Sequence, residues 1–188
     1  MLQLFHTGFQ VIRKPDIRAG RKNADFGQGF YLADDQEFSR RWAQERKGSA
    51  TYLNAYELDT EGLAVKHFSR DAEWFKYIKD NRSDRPDTFA DYDVIIGPIA
   101  NDTIFETWGI ITSGLLEEDQ ALRLLMIGRV YEQTVIKTEK AAALLRFKEA
   151  SEVSGEEIAM YQELVRREEL EFQEEAAKLL EDMGIVGE

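Results

Sequence analysis

The run Asp25-Phe26-Gly27-Gln28-Gly29-Phe30-Tyr31 is the first stretch of this 188-residue chain whose residue types and spacing could do chemistry. Three readings are open to it. A DFG aspartate can hold a kinase metal, a glycine pair can cradle phosphate, and two glycines can turn the chain into a strand whose tyrosine lines a pocket. The first fails on context, because a kinase places a glycine-rich loop, a strand lysine and an HRD loop ahead of its DFG. The second is weak: there is no GxxxxGK[ST], and Gly27-Gln28-Gly29 does not complete GxGxxG after a strand. The third leaves Tyr31 as the residue of interest and His6, in Phe5-His6-Thr7-Gly8, as the upstream group able to donate or accept a hydrogen bond. The other histidine, His67, is remote in sequence and lies in no HExxH pattern. The chain has no cysteine, so zinc, thiolate and disulfide chemistry are not expected.

These residues need elements to hold them. Leu2, Leu4 and Phe5 ahead of Gly8 read as a short strand entering a turn, and residues 9–28, with Lys14-Pro15-Asp16, Gly20 and Arg21-Lys22-Asn23, as a loop. Residues 29–33 form a second strand, and Asp34-Asp35 offer capping oxygens to a helix over 34–46. Residues 51–59 alternate as a strand, with Tyr52, Asn54, Tyr56 and Leu58 on one face and Leu53, Ala55 and Glu57 on the other. A helix is expected over 70–82, a buried strand over 92–100, helices over 101–114 and 115–128, and a strand over 129–138. Residues 139–147 read as a short helix or a further strand. A long helix is expected over 156–183, where Ile158, Tyr161, Leu164 and Val165 mark an apolar stripe that Phe172, Leu179 and Leu180 extend. Strands mixed irregularly with helices predict an α+β fold rather than a doubly wound sheet.

Composition bounds the partners. Hydrophobic residues at 43% and aromatics at 11% argue for a folded globular chain. The net charge of -12 is unevenly spread, with twelve acidic and three basic side chains in residues 150–188. That tail reads as a separate element, which sets expected domains at 1–149 and 150–188. Such acidity disfavours tight nucleic-acid binding, which rests on clustered Lys and Arg. There is no basic leader and no run of about 18 apolar residues, so neither a signal peptide nor a membrane span is expected, and a cytoplasmic location is.

The strand FHTG, followed by FGQGFYLAD and a serine-bearing helix, resembles the ADP-ribosyltransferase superfamily on the branch shared by diphtheria-like toxins and poly-ADP-ribose polymerases. It is most similar to a small bacterial family within that superfamily that carries GRKNxDFGxGFYL, IGPxAND and QxxxxTEKA blocks. All three stand here in order, as GRKNADFGQGFYL (20–32), IGPIAND (96–102) and QTVIKTEKA (133–141). The resemblance covers about residues 1–148 and leaves the acidic tail outside. It implies a split pair of antiparallel sheets flanking an NAD+ cleft, with NAD+ as substrate.

Carried onto this chain, the resemblance implies that His6 bonds the 2′-hydroxyl of the adenosine ribose, with Thr7 alongside. Gly8 would offer backbone groups to the nicotinamide amide. Tyr31 would stack on the nicotinamide ring, with Gly29 and Phe30 at the start of its strand, Ser39 binding the amide and Trp42 closing an aromatic sandwich. Trp42 reads equally as helix packing. The third catalytic position falls on Gln133, where the superfamily pattern has a glutamate; glutamine keeps the hydrogen bond and lacks the charge. Glu132 is adjacent, but neighbouring strand side chains face opposite ways. Arg18, Arg21 and Lys22 are candidates for the diphosphate, or belong to a solvated basic loop. Asn101 and Asp102 read as a helix cap or a cleft wall, and Glu139 as a helix-start carboxylate or an acceptor-side group.

The activity implied is mono-ADP-ribosyl transfer to an acceptor that is a protein, a nucleic acid or a small molecule, since the glutamate that positions an elongating ribose is absent. Bacterial enzymes of this kind often serve as toxins in toxin–antitoxin or defence pairs. The alternatives are a non-catalytic NAD+ or ADP-ribose binding module and an NAD+ glycohydrolase. The tail, residues 150–188, is a candidate for docking an antitoxin, for self-association or for covering the cleft, or is a solvated amphipathic helix packed on the domain.

Overall fold

The computed structural model describes residues 1–100, 114 and 116–185. Their strands are β1 (Leu2–Gly8), β2 (Phe30–Ala33), β3 (Thr51–Leu58), β4 (Val65–His67), β5 (Val94–Pro98), β6 (Glu132–Ile136) and β7 (Leu145–Val153). Their helices are α1 (Gln36–Arg40), α2 (Ala72–Arg82), α3 (Glu118–Leu125), α4 (Glu139–Leu144) and α5 (Gly155–Asp182). The fold is α+β, as expected.

Instead of two separate sheets, the described strands form one seven-stranded sheet in the order β4-β5-β6-β2-β1-β3-β7. It is antiparallel except for β4 against β5. Its middle is narrow. β1 and β2 share one register pair, Phe5 with Ala33, whereas β1 runs beside β3 from Leu2↔Leu58 to Gly8↔Tyr52. Beyond Phe5 the two central strands part, and the cleft described below opens along that seam.

Alternation distributes the core over both faces. Leu4, Phe30, Leu32, Tyr56, Leu58, Val94 and Ile136 point to one face, closed by Ile17 of the long loop and Ala141 of α4. On the other, Ile95 and Val135 pack against Trp74, Phe75 and Ile78 of α2, Leu124 and Leu125 of α3, and Phe172 and Ala176 of α5. Ile158 at the start of α5 packs with Leu53, Val153 and Ala43. The acidic helix is therefore bound to the domain at both ends of its apolar stripe. The expected boundary at 149/150 falls inside β7, which pairs with β3 as far as Val153↔Thr51.

Three local expectations are revised, and a fourth falls outside the described residues. The helix expected over 34–46 starts under its Asp35 cap, with Oδ1 accepting from Phe38 N–H at 3.0 Å, but ends at Arg40. Its last turn tightens (Ala43 N–H to Arg40 C=O, 2.9 Å) as Arg40 and Arg41 reach Glu157 and Glu168 of α5. Residues 65–67 form a strand that no periodicity signalled; it exists because Val65, Lys66 and His67 align with Val94, Ile95 and Ile96. Residues 139–147 are a short helix and then a strand, divided between Leu144 and Leu145. The helix expected over 101–114 and the residues Asn101 and Asp102 lie outside the described residues.

Candidate functional site

The cleft has a volume of about 440 Å³. Its walls are β1 (Phe5, His6, Thr7), β2 (Tyr31, Leu32, Ala33), α1 and the turn after it (Phe38, Ser39, Trp42), Gln133 of β6, Ile99, and loop residues Arg21, Ala24 and Asp25. A volume in this range suits a small molecule or part of a nucleotide.

His6 sits in the seam. Where the β1–β2 ladder stops, its Nδ1 lies 2.9 Å from the carbonyl oxygen of Tyr31. A carbonyl only accepts, so Nδ1 carries the proton and Nε2 is left as an acceptor in the neutral ring. Burial holds the His6 pKa below its ordinary value, more strongly than the Tyr31 carbonyl raises it. The ring rests on Phe30, centroids 4.7 Å apart. Phe30 lies beneath the site, packed edge-on against Tyr56, and is not on the cleft wall. Gly8 is likewise off the wall. A Cβ there would stand 3.3 Å from His6 Nε2, so the glycine keeps that nitrogen clear.

Tyr31 presents its ring to the cleft while its hydroxyl closes the DFG turn. The hydroxyl donates to Gly27 C=O at 2.7 Å and accepts from Phe26 N–H at 2.9 Å. Burial and then the Asp25 charge push the phenol well above its ordinary value, so it stays protonated. Gly27 takes a φ of 73°, and a Cβ on Gly29 would come within 2.5 Å of Val135 Cγ1 and 2.7 Å of Ile136 O. The two glycines form the turn and let β2 approach β6, and neither is on the cleft wall.

Ser39 and Thr7 meet across the cleft floor, Oγ to Oγ1 3.1 Å, tying α1 to β1. Trp42 is half exposed at the rim, edge-on to Phe38 at 6.1 Å. Of the basic loop, Arg21 reaches the cleft. Arg18 pairs instead with Glu139 at 3.8 Å, both well exposed, and Lys22 is not on the wall. Glu139 stands in the first turn of α4, where Thr138 is the cap.

Gln133 is buried on the face of β6 that carries Val135, opposite Ala33 in the register. Its Nε2 lies 3.5 Å from Asp25 Oδ2, a long contact. Glu132 points elsewhere, toward His67 at 3.9 Å.

Asp25 is the residue that sequence reasoning missed, having been weighed only as a kinase-type metal ligand. It is 8% exposed and lines the cleft. Arg82 of α2 binds its Oδ1 through Nη2 at 2.6 Å and Nε at 2.9 Å, and Asn81 Nδ2 donates to its backbone carbonyl at 3.0 Å. The one signal available was its place in the GRKNADFGQGFYL block; its partners lie more than fifty positions away.

A family model described as "Protein of unknown function (DUF3990)" matches residues 2–147. No curated protein and no solved structure matches the chain. With more than half of its length matched, from β1 into β7, the chain belongs to the DUF3990 family.

Proposed function

We propose that this protein is an NAD+-dependent mono-ADP-ribosyltransferase with its cleft at the β1–β2 seam. The observation that carries the reading is the convergence of His6, Tyr31 and Gln133, from three strands far apart in sequence, on one cleft that also holds Thr7, Ser39, Trp42 and Arg21. The parting of the sheet beyond Phe5↔Ala33 supports an ADP-ribosyltransferase-like split sheet.

NAD+ is the substrate. His6 is neutral with its N–H committed to Tyr31, so Nε2 accepts from a ribose hydroxyl. The Tyr31 ring, its hydroxyl tied back into the turn, offers a fixed stacking surface for nicotinamide, and Trp42 is the second aromatic at the rim. Offset stacking contributes about 0.5–1.5 kcal/mol beyond burial. Thr7 and Ser39 hydroxyls serve the nicotinamide amide, Arg21 the diphosphate through charge-assisted bonds, and Gln133 the nicotinamide ribose. The glycosidic C–N bond breaks heterolytically: its electron pair leaves with the nicotinamide nitrogen and positive charge develops on the ribose. The acceptor's lone pair then bonds C1 of that ribose, and the acceptor's proton passes to solvent.

Incubating the full chain with labelled NAD+ and cell lysate should give a labelled product that His6→Ala and Tyr31→Ala abolish. No binding, no NAD+ hydrolysis and no labelled product would together refute the reading. The uncharged amide of Gln133 favours a second reading, an NAD+ or ADP-ribose binding module, which predicts saturable binding without turnover. Label released as free ADP-ribose would identify water as the acceptor.

A further inference from the structure

We propose that Asp25 supplies the negative charge of this cleft, and that Gln133 is a glutamine because a carboxylate already stands beside it. This rests on reading the cleft as an NAD+ site.

The carboxylate is set in place from several sides. Tyr31 spans Phe26 N–H and Gly27 C=O, Lys137 Nζ donates to Phe26 C=O at 2.5 Å, and Asn81 holds the Asp25 carbonyl. Arg82 Nε and Nη2 donate to Oδ1, and Oδ2 lies 3.5 Å from Gln133 Nε2. Arg82 is not on the cleft wall, so the ion pair is oriented with its negative end toward the cleft and its positive end toward α2. A fixed carboxylate in a partly dry site stabilises positive charge at no cost of reorganisation. That is the charge that develops on the ribose when nicotinamide leaves with the bonding pair.

The same contact settles the chemistry of position 133. A carboxylate accepts only, so the Gln133 amide turns its NH₂ to Asp25 and keeps Oε1 as acceptor for a ribose hydroxyl. A glutamate there would set two carboxylates about 3.5 Å apart, and one would have to take up a proton. The carboxamide is thus the side chain that can sit against Asp25 and still bind a hydroxyl. Asp25 acts on the reacting ribose through space and on Gln133 by positioning it.

The test compares full-length wild type, Asp25→Asn, Gln133→Glu and the double variant. Its readouts are nicotinamide release, NAD+ dissociation constants by calorimetry, and unfolding temperature. Asp25→Asn should lower kcat by about 10²–10³, with the NAD+ dissociation constant moving by less than about threefold. Asp25→Asn/Gln133→Glu, which returns the charge to a neighbouring atom, should recover at least about tenfold of that loss, a rescue that a merely structural aspartate would not show. Gln133→Glu alone should give a pH–rate profile with a new ionisation above the usual carboxylate range, a readout that holds even where Asp25→Asn fails to fold. Wild-type turnover with Asp25→Asn within about threefold overturns the proposal and leaves the NAD+ reading standing. So does a Gln133→Glu profile unchanged with pH. NAD+ binding without turnover also overturns it, and a wild type that neither binds nor cleaves NAD+ overturns both.

Discussion

Replacing Gly29 with alanine separates the two meanings a glycine pair can have in this loop. The added Cβ would lie 2.5 Å from Val135 Cγ1 and 2.7 Å from Ile136 O, whereas ordinary contact begins at 3.4 Å. Strands β2 and β6 must move apart by somewhat under 1 Å, and Ile136 O is backbone in a central strand, so little can yield. Overpacking of this kind costs about 1–3 kcal/mol. The adjacent pair Phe30↔Ile136 also loosens, and a lost ladder hydrogen bond adds about 1 kcal/mol. The expected destabilisation is about 2–4 kcal/mol, a lowering of the urea midpoint by about 1–2 M at ordinary m-values. Urea unfolding followed by tryptophan fluorescence measures it. A phosphate-binding glycine behaves differently: its alanine variant would unfold within about 0.5 kcal/mol of wild type and lose ligand affinity. That outcome would refute the packing argument and revive the phosphate loop.

Other perturbations follow from the same geometry. Tyr31→Phe keeps the ring but strands Phe26 N–H and Gly27 C=O, so stability should fall by about 1–3 kcal/mol in urea unfolding while calorimetry finds NAD+ still bound. The folded-state pKa of His6 lies below its ordinary value, so the unfolded chain takes up the proton first as pH falls. The His6 contribution to stability should be complete above about pH 6.5–7 and decline below it, a decline that His6→Gln removes from a denaturation-versus-pH series. NAD+ affinity should fall with it once the folded ring protonates and Nε2 ceases to accept. Phe172→Ala should cost about 3–5 kcal/mol, because its ring is 3% exposed in the core shared with Trp74, and deletion of residues 150–188 should give a chain without a cooperative unfolding transition.

The family match over residues 2–147 and the packing of α5 divide the chain differently. The match ends inside β7, yet Phe172 and Ala176 share a core with Phe26, Trp74 and Val135, and Ile158 packs with Leu53 and Ala43, partners that all lie within the matched residues. Arg40 and Arg41 carry the connection to the cleft, since their partners Glu157 and Glu168 hold the end of α1, which presents Ser39, and the turn after it, which presents Trp42. Such pairs are partly buried and stabilise chiefly by fixing geometry.

Local pattern was enough for the elements that bury one face and cap themselves. Alternation in Leu2–Gly8 and Thr51–Leu58, the Asp35 oxygen before Gln36, and the apolar stripe from Ile158 to Phe172 are short-range signals, and each produced its strand or helix. Local reading raised His6 and Tyr31, the family resemblance added Ser39, Trp42 and Gln133, and one cleft receives all five. What required the third dimension was anything whose partner is remote. The end of α1 depends on carboxylates 117 and 127 positions away, and β4 exists only through the backbone of β5. The count of charges made the tail look separate, because charge is read residue by residue while burial of Phe172 is a property of the packed helix. Asp25 shows the difference most sharply. In sequence it is one of many carboxylates, and its meaning comes from Arg82 on one oxygen and Gln133 near the other, contacts that only the folded chain can make.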